Sequence, residues 1–111
     1  MRVLVCGGRD FDERVYLYRV LDDLHPRPTL IIHGNAHGAD WLAGEWAVER
    51  DIPVREFVAD WRTHGKAAGP MRNAKMLADG KPDLVIAFKG GAGTANMKAL
   101  ARKSRIEVRE V

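Results

Sequence analysis

Residues 84–94 of the chain read LVIAFKGGAGT, an apolar run that leads into three glycines and a threonine. The run from Leu84 to Phe88 is typical of a strand buried on both faces of a parallel sheet. Glycines let the backbone approach a ligand closely, and free N–H groups at a helix N-terminus attract anions. We therefore expect a central strand, a phosphate-binding turn and a helix. The alternative is that these glycines only allow the chain to turn.

Outward from this segment, short apolar runs alternate with helical patterns along the whole chain. The predicted strands are residues 3–6, 30–32, 54–58, 84–88 and 106–108, the third and fifth at the sheet edges. Four helices are expected between them, with residues 60–70 irregular and the third helix beginning near Met71. This alternation predicts a single α/β domain over residues 1–111, a parallel sheet with helices on both faces, and a ligand site beyond the carboxyl ends of the strands.

Composition excludes several classes of protein. The 111 residues are 46% hydrophobic and 30% charged, with a net charge of +3, which is typical of a globular chain rather than a disordered one. The lone cysteine, Cys6, excludes an internal disulfide and a Cys-rich zinc module, and we expect it in the core. The charged N-terminal residues fit no signal peptide, and no apolar run approaches the ~20 residues of a membrane helix. We therefore expect a cytoplasmic protein with no membrane partner.

The segment after the first strand, residues 7–10, reads GGRD. We expect Gly7 and Gly8 to border the ligand pocket and Arg9 to face an anion. Two interpretations of Asp10 stay open: it caps the next helix, as Asp12 also would, or it bonds ribose hydroxyls.

Residues 33–40 read HGNAHGAD and form the richest polar stretch of the chain. Glycines interrupt the spacing of His33 and His37, and no Glu follows His33 as the His-Glu-x-x-His zinc motif requires, so no metal site is expected. Asp40 either complements the dipole of the next helix or contacts the ligand, by bonding ribose hydroxyls or orienting water. The ligand contacts expected here are Gly34, Asn35, His37, Gly38 and Asp40.

Residues 60–73 combine an aromatic side chain with basic ones. Trp61 either stacks on a base or packs in the core, and Lys66 would grip phosphate. Arg72 opens a predicted helix, where a positive charge is unfavourable unless an anion binds nearby. The ligand contacts expected here are Trp61, Lys66, Gly69, Arg72 and Asn73. No Ser-His-Asp or Cys-His arrangement and no pair of carboxylates stands out for catalysis.

Five motifs in this order resemble one family nearly end to end: VCGGRDF at 5–11, HGNAHGAD at 33–40, DW at 60–61, KAAGPMRN at 66–73 and PDLVIAFKGGAGT at 82–94. The chain resembles the YspA-type branch of the SLOG superfamily, small bacterial and phage proteins. The resemblance implies a Rossmann-like three-layer α/β/α sandwich with a mostly parallel five-stranded sheet, for which we expect the strand order 3-2-1-4-5. It also implies kinship with the cytokinin-activating phosphoribohydrolases, known as lysine decarboxylase-like proteins, and with the DNA-processing protein DprA.

The superfamily is thought to bind nucleotides or nucleotide-derived ligands. Its phosphate-binding loop carries over to Gly90, Gly91, Gly93 and Thr94, and the Arg of the helix after the third strand carries over to Arg72. Two positions depart from the phosphoribohydrolase pattern Pro-Gly-Gly-x-Gly-Thr-x-x-Glu. Met97 stands where that pattern has its catalytic Glu, which makes the usual hydrolase mechanism unexpected here. Lys89 stands where it has Pro, which fits a phosphate-bearing ligand.

Three hypotheses about function follow. The first is binding or sensing of a small nucleotide-derived ligand, such as an NAD or ADP-ribose derivative or a nucleoside phosphate, with no firmly implied cofactor. The second is hydrolysis of an N-glycosidic or phosphoester bond of such a ligand, with Asp10 or Asp40 as the catalytic candidates. The third, from the kinship with DprA, is single-stranded nucleic-acid binding. A homodimer is also expected, because Trp41 and Trp46 are hard for one small helix to bury.

Overall fold

The computed structural model describes all residues 1–111. Its five strands are β1 (Arg2–Cys6), β2 (Leu30–His33), β3 (Val54–Glu56), β4 (Leu84–Ala87) and β5 (Glu107–Glu110). Its helices are α1 (Arg14–Asp22), α2 (Ala39–Glu49), the short α3 (Trp61–His64), α4 (Ala68–Gly80) and α5 (Ala92–Lys103), and a 3-10 turn over Gly65–Ala67 joins α3 to α4.

All strand pairs are parallel, and the strand order is β3-β2-β1-β4-β5, as expected from the resemblance. The chain builds the sheet outward from β1 in one direction and then returns to add β4 on its other side, with Val3 opposite Leu84. The order therefore reverses between β1 and β4, and in open parallel sheets ligands bind at such a reversal.

Alternation along β1 divides the core into two halves, one on each face of the sheet. Val3 and Val5 pack with the buried residues of α1 and α2, including Leu17. Leu4 and Cys6 point to the other face and pack with Met76 of α4 and Met97 of α5. The Rossmann-like three-layer arrangement is thus confirmed.

The prediction that residues 60–70 are irregular is wrong. Asp60 caps α3 by accepting a hydrogen bond from the backbone N–H of Thr63 (3.1 Å), and α4 already begins at Ala68. The pair Gly69-Pro70 falls inside this segment, which was expected to be irregular. Pro70 instead lies in the first turn of α4, where proline is tolerated because the N–H it lacks would have no helical partner.

The predicted cap of α1 is also wrong. Glu13 occupies the N-cap position, no side chain caps the helix there, and Asp10 and Asp12 lie in the loop before it. At the far edge of the sheet, β3 ends at Glu56 rather than Val58, although the N–H of the buried Phe57 still donates to the backbone oxygen of His33 (2.9 Å).

The two tryptophans of α2 lie in different surroundings. Trp46 is only 2% exposed, and its indole N–H donates to Asp22 (2.9 Å), whereas Trp41 is 44% exposed. One small helix therefore buries one of the two rings, and a homodimer stays a prediction. None of the helices has the length and apolar character needed to cross a membrane.

Candidate functional site

A cleft of about 920 Å³ opens at the carboxyl ends of β1 and β4, where the strand order reverses. Its walls come from the loops after these two strands, the beginning of α2, the segment α3–α4 and the first turns of α5. Of the residues predicted as ligand contacts, the cleft brings together Gly7, Gly8, Arg9, Asp10, Asp40, Trp61, Lys66, Gly69, Arg72, Asn73, Gly90, Gly91, Gly93 and Thr94. Four segments distant in sequence thus meet at one place.

The remaining four predicted contacts, Gly34, Asn35, His37 and Gly38, do not line this cleft. Asn35 and His37 turn toward the outer surface of α2. There the indole N–H of Trp41 donates to Asn35 Oδ1 (3.3 Å), and the His37 ring lies 3.8 Å from the ring of Trp41. From the loop after β2, only Ala36 lines the cleft, and Asp40 joins it from the first turn of α2.

Asp40 is 6% exposed, although it is a carboxylate. Its Oδ2 accepts hydrogen bonds from the backbone N–H groups of Gly34 (2.9 Å) and Ala36 (3.3 Å), which fixes the turn between β2 and α2. Burial raises the pKa of Asp40 to about 6, against the opposing effects of these two N–H groups and of Arg72 and Arg9. The carboxyl group therefore changes charge near neutral pH.

Arg72 is held in place across the same turn. Its Nη1 donates to the backbone oxygen of Gly34 (2.7 Å), and its Nε donates to Asn73 Oδ1 (3.0 Å). Gly34 is thus bound on one side by Asp40 and on the other by Arg72, and a Cβ at this position would lie 2.8 Å from Nη1. The half-buried guanidinium is oriented before any ligand arrives, which lowers the entropic cost of binding.

Asn73 connects the two helices that flank the cleft. Its Nδ2 donates to the backbone oxygen of Gly93 (3.1 Å) and to Asn96 Oδ1 (3.0 Å), which ties α4 to the first turn of α5. Asn96 lines the cleft as well but was not among the predicted residues. Its place two residues after Thr94, in the first turns of a helix after a glycine-rich loop, was the available signal.

The loop between β4 and α5 is open toward the cleft. Gly91 is the N-cap of α5 and supplies no capping side chain, and no acidic residue lies in the first helical turn. The first N–H groups of a helix have no partner within it. Thr94 is 6% exposed and lines the cleft, but its hydroxyl forms no hydrogen bond with the protein. This end of α5 therefore offers unused hydrogen-bond donors.

Trp61 lies at the rim and not in the core. Its ring is 46% exposed, and the guanidinium of Arg9 lies 5.5 Å from the ring centre in a cation–π contact. Lys66 and Lys89 also line the cleft, as do the acidic residues Asp10, Asp12 and Glu13 of the loop after β1. The cleft therefore carries both signs of charge, with four basic residues, Arg9, Lys66, Arg72 and Lys89, contributed by three different segments.

Two residues deep in the cleft are poorly suited to catalysis. Burial raises the pKa of the Cys6 thiol to about 12, so it is not a nucleophile at neutral pH. Met97 reaches the cleft with an apolar thioether that can neither accept a proton nor stabilise a cation by charge. No three His, Cys, Asp or Glu side chains come together as metal ligands.

Comparisons with known proteins found a similar phage protein and a matching family model. The Gene 61 protein of Mycobacterium phage D29 is 36% identical to it, in an alignment that covers 96% of this chain and 93% of the phage protein. A family model described as the YspA, cpYpsA-related SLOG family matches residues 1–64, which include β1, β2, β3 and the turn held by Asp40. This match takes in more than half of the chain. The fold, the motifs and both comparisons agree, and the chain belongs to the YspA, cpYpsA-related SLOG family.

Proposed function

We propose that the cleft binds a nucleotide or a nucleotide-derived small molecule, with a phosphate group on the loop between β4 and α5. Membership of the SLOG family indicates a nucleotide-related function in general. The assignment of the ligand to this cleft and of its phosphate to this loop is our proposal. The observation that carries the proposal is the hydroxyl of Thr94, a residue that is 6% exposed and lines the cleft. It forms no hydrogen bond with the protein and lies beside the uncapped N-terminus of α5, at the reversal of strand order.

The groups around this loop suit a phosphate. Arg72 has an Nη2 that donates to no protein group, while its Nε and Nη1 hold it in place. Lys89 precedes the loop, and Lys66 lies on the same cleft. A helix N-terminus, a hydroxyl and oriented cations together favour an anion with several acceptor oxygens.

The rim suits the other end of a nucleotide. The exposed face of Trp61 provides a surface on which a base would stack. The base would either displace the guanidinium of Arg9 from this ring or lie beside it. The volume of about 920 Å³ lies at the upper end of the range typical for small-molecule sites, so the cleft has room for both a base and a phosphorylated sugar.

The phosphate position can be tested with Gly91→Asp and its uncharged counterpart Gly91→Asn. A Cβ on Gly91 has no neighbour within 4 Å, so both variants should fold. We expect a panel of nucleoside mono- and diphosphates and ADP-ribose to raise the melting temperature of the wild-type protein. The carboxylate of Gly91→Asp would repel phosphate and weaken binding by about 10-fold or more, or about 1.4 kcal/mol, relative to Gly91→Asn.

Two outcomes would count against the proposal. If no member of the panel binds the wild-type protein in calorimetry, the function is not nucleotide binding. If Gly91→Asp and Gly91→Asn bind a phosphorylated ligand equally well, the phosphate does not lie on this loop.

A second candidate function, hydrolysis of the N-glycosidic bond of the bound nucleotide, is favoured by Asp40. A carboxyl group with a pKa near 6 on the wall of a cleft can give or accept a proton at neutral pH. Chromatography of the nucleotide panel after incubation would detect the free base that hydrolysis releases. An unchanged panel would leave binding as the function.

A further inference from the structure

The two oxygens of the Asp40 carboxylate have different roles in the fold. Oδ2 accepts both backbone hydrogen bonds of the turn after β2, whereas Oδ1 accepts none from the protein. No Lys, Arg or His forms an ion pair with either oxygen. Every fully buried side-chain nitrogen or oxygen has a hydrogen-bond partner. Because Oδ1 has none and Asp40 lines the cleft, Oδ1 keeps a small exposed surface toward the cleft.

The turn alone does not require a carboxylate at this position. An asparagine would supply the same acceptor to Gly34 and Ala36 without the cost of burying a charge. Arg72, the nearest candidate for a partner, directs its Nη1 to Gly34 and its Nε to Asn73 instead. Asp40 is therefore a nearly buried carboxylate with one oxygen that accepts no hydrogen bond from the protein, and such groups are concentrated at binding sites.

This oxygen restricts what can bind beside it. A carboxylate accepts hydrogen bonds and repels phosphate, so the part of the ligand next to Asp40 must present a donor such as a hydroxyl. The free donors of Thr94, Arg72 and the α5 N-terminus lie on the same cleft and require an anion. A phosphorylated sugar with a free hydroxyl satisfies both requirements.

We infer that Asp40 Oδ1 accepts a hydrogen bond from a ribose hydroxyl, so that the cleft selects ribonucleotides over their deoxy counterparts. The inference rests on the proposed function and assigns its sugar specificity. A site built to bond a hydroxyl rejects an analogue that lacks it, because the buried acceptor is then left without a partner.

The test compares AMP with 2′-deoxy-AMP and 3′-deoxy-AMP by titration calorimetry at pH 8, where Asp40 is ionised. We expect AMP to bind the wild-type protein about 10-fold or more tightly than at least one of the two analogues. In Asp40→Asn the difference should shrink to about 2-fold. The matched control, Asp23→Asn, removes an exposed carboxylate that lies outside the cleft and should keep the wild-type preference.

Each other result overturns a stated part of the argument. Equal binding of AMP and both analogues to the wild-type protein would overturn the sugar specificity and leave nucleotide binding intact. A preference that persists in Asp40→Asn, or that Asp23→Asn also abolishes, would overturn the role of Asp40. If none of the three compounds binds while other nucleotides do, the inference that the cleft selects the ribose of AMP is refuted. If no nucleotide binds at all, the proposed function fails together with this inference. Should Asp40→Asn not fold, the comparison of the three compounds on the wild-type protein still decides the specificity.

Discussion

Glycines lie on the wall of the cleft or next to it on two sides, and the structure gives them different reasons to be there. On the side of β1 and α2, a Cβ on Gly7 would lie 2.5 Å from Ala39 Cβ, and a Cβ on Gly38 would lie 2.1 Å from the backbone oxygen of Gly8. In the loop before α5, Gly90 is packed in the same way, since its Cβ would lie 2.8 Å from the backbone nitrogen of Gly8. At the beginning of α5, by contrast, a Cβ on Gly91 or Gly93 would have no neighbour within 4 Å. The first group lets two backbone segments pack closely, whereas the second leaves open space on the cleft. The same sequence signal therefore has a folding cause at Gly7, Gly38 and Gly90 and no such cause at Gly91 and Gly93.

Among the variants that test this comparison, the largest loss of stability is expected for a substitution of Gly38. Its φ of +81° disfavours an L side chain, and the new methyl group of Gly38→Ala would collide with the backbone of Gly8 and Arg9. We expect a loss of about 3–5 kcal/mol in the free energy of unfolding, measured by urea denaturation. Gly65→Ala is the control, because Gly65 also has a positive φ of +54° but has open space around it. It should lose only about 1 kcal/mol, and equal losses in the two variants would refute the close packing at Gly38.

Asp40 lies on the side of β1 and α2, where the glycines allow close packing, but Asp40 itself destabilises the fold when it is ionised. Its pKa of about 6 is higher in the folded protein than the ordinary value of 3.8. A raised carboxyl pKa means that the stability this group contributes is fully present below about pH 4 and is lost as the pH rises through about 6. Between pH 5 and pH 8 the wild-type protein should lose about 1 kcal/mol relative to Asp40→Asn. Urea denaturation of both proteins at the two pH values measures this difference.

The control for this prediction is Asp10→Asn, which removes the same charge from the exposed rim. Its stability difference from the wild-type protein should change little between the two pH values. If the stability difference between Asp40→Asn and the wild-type protein also changes little between the two pH values, burial of Asp40 does not destabilise the fold. The side of β1 and α2 would then contain no group that is kept for binding.

The sequence was sufficient for the parallel sheet and the cleft at the strand ends, because these follow from buried runs such as Leu84–Ala87 alternating with helices, and the family resemblance supplied the strand order. It was insufficient wherever one residue type has two physical uses. Pro70 was expected in an irregular segment but lies in the first turn of α4, and Asp12 was expected as a cap but makes no capping bond. The local pattern did not distinguish Gly38 from Gly91 either, since only the positive φ of Gly38 and its contact with the backbone of Gly8 and Arg9 separate them.

The smallest expected effect sharpens the comparison from the open side. Gly93 lies in the first turn of α5, and Gly93→Ala would reduce the entropy of the unfolded chain without meeting any neighbour. We expect the free energy of unfolding to rise by about 0.5 kcal/mol, or about 2 °C in melting temperature. The new methyl group would stand on the wall of the cleft, so binding of the best phosphorylated ligand should weaken at the same time.

A gain in stability combined with a loss of binding is the result that separates a glycine kept for a ligand from one kept for the fold. The control is Ala99→Gly, an exposed position of α5 outside the cleft. This variant should lose a similar amount of stability and bind the ligand as the wild-type protein does. If Gly93→Ala instead loses stability, α5 needs a glycine there for folding, and the two sides of the cleft are alike. If it gains stability and binds fully, the open space beside Gly93 is not where the ligand lies.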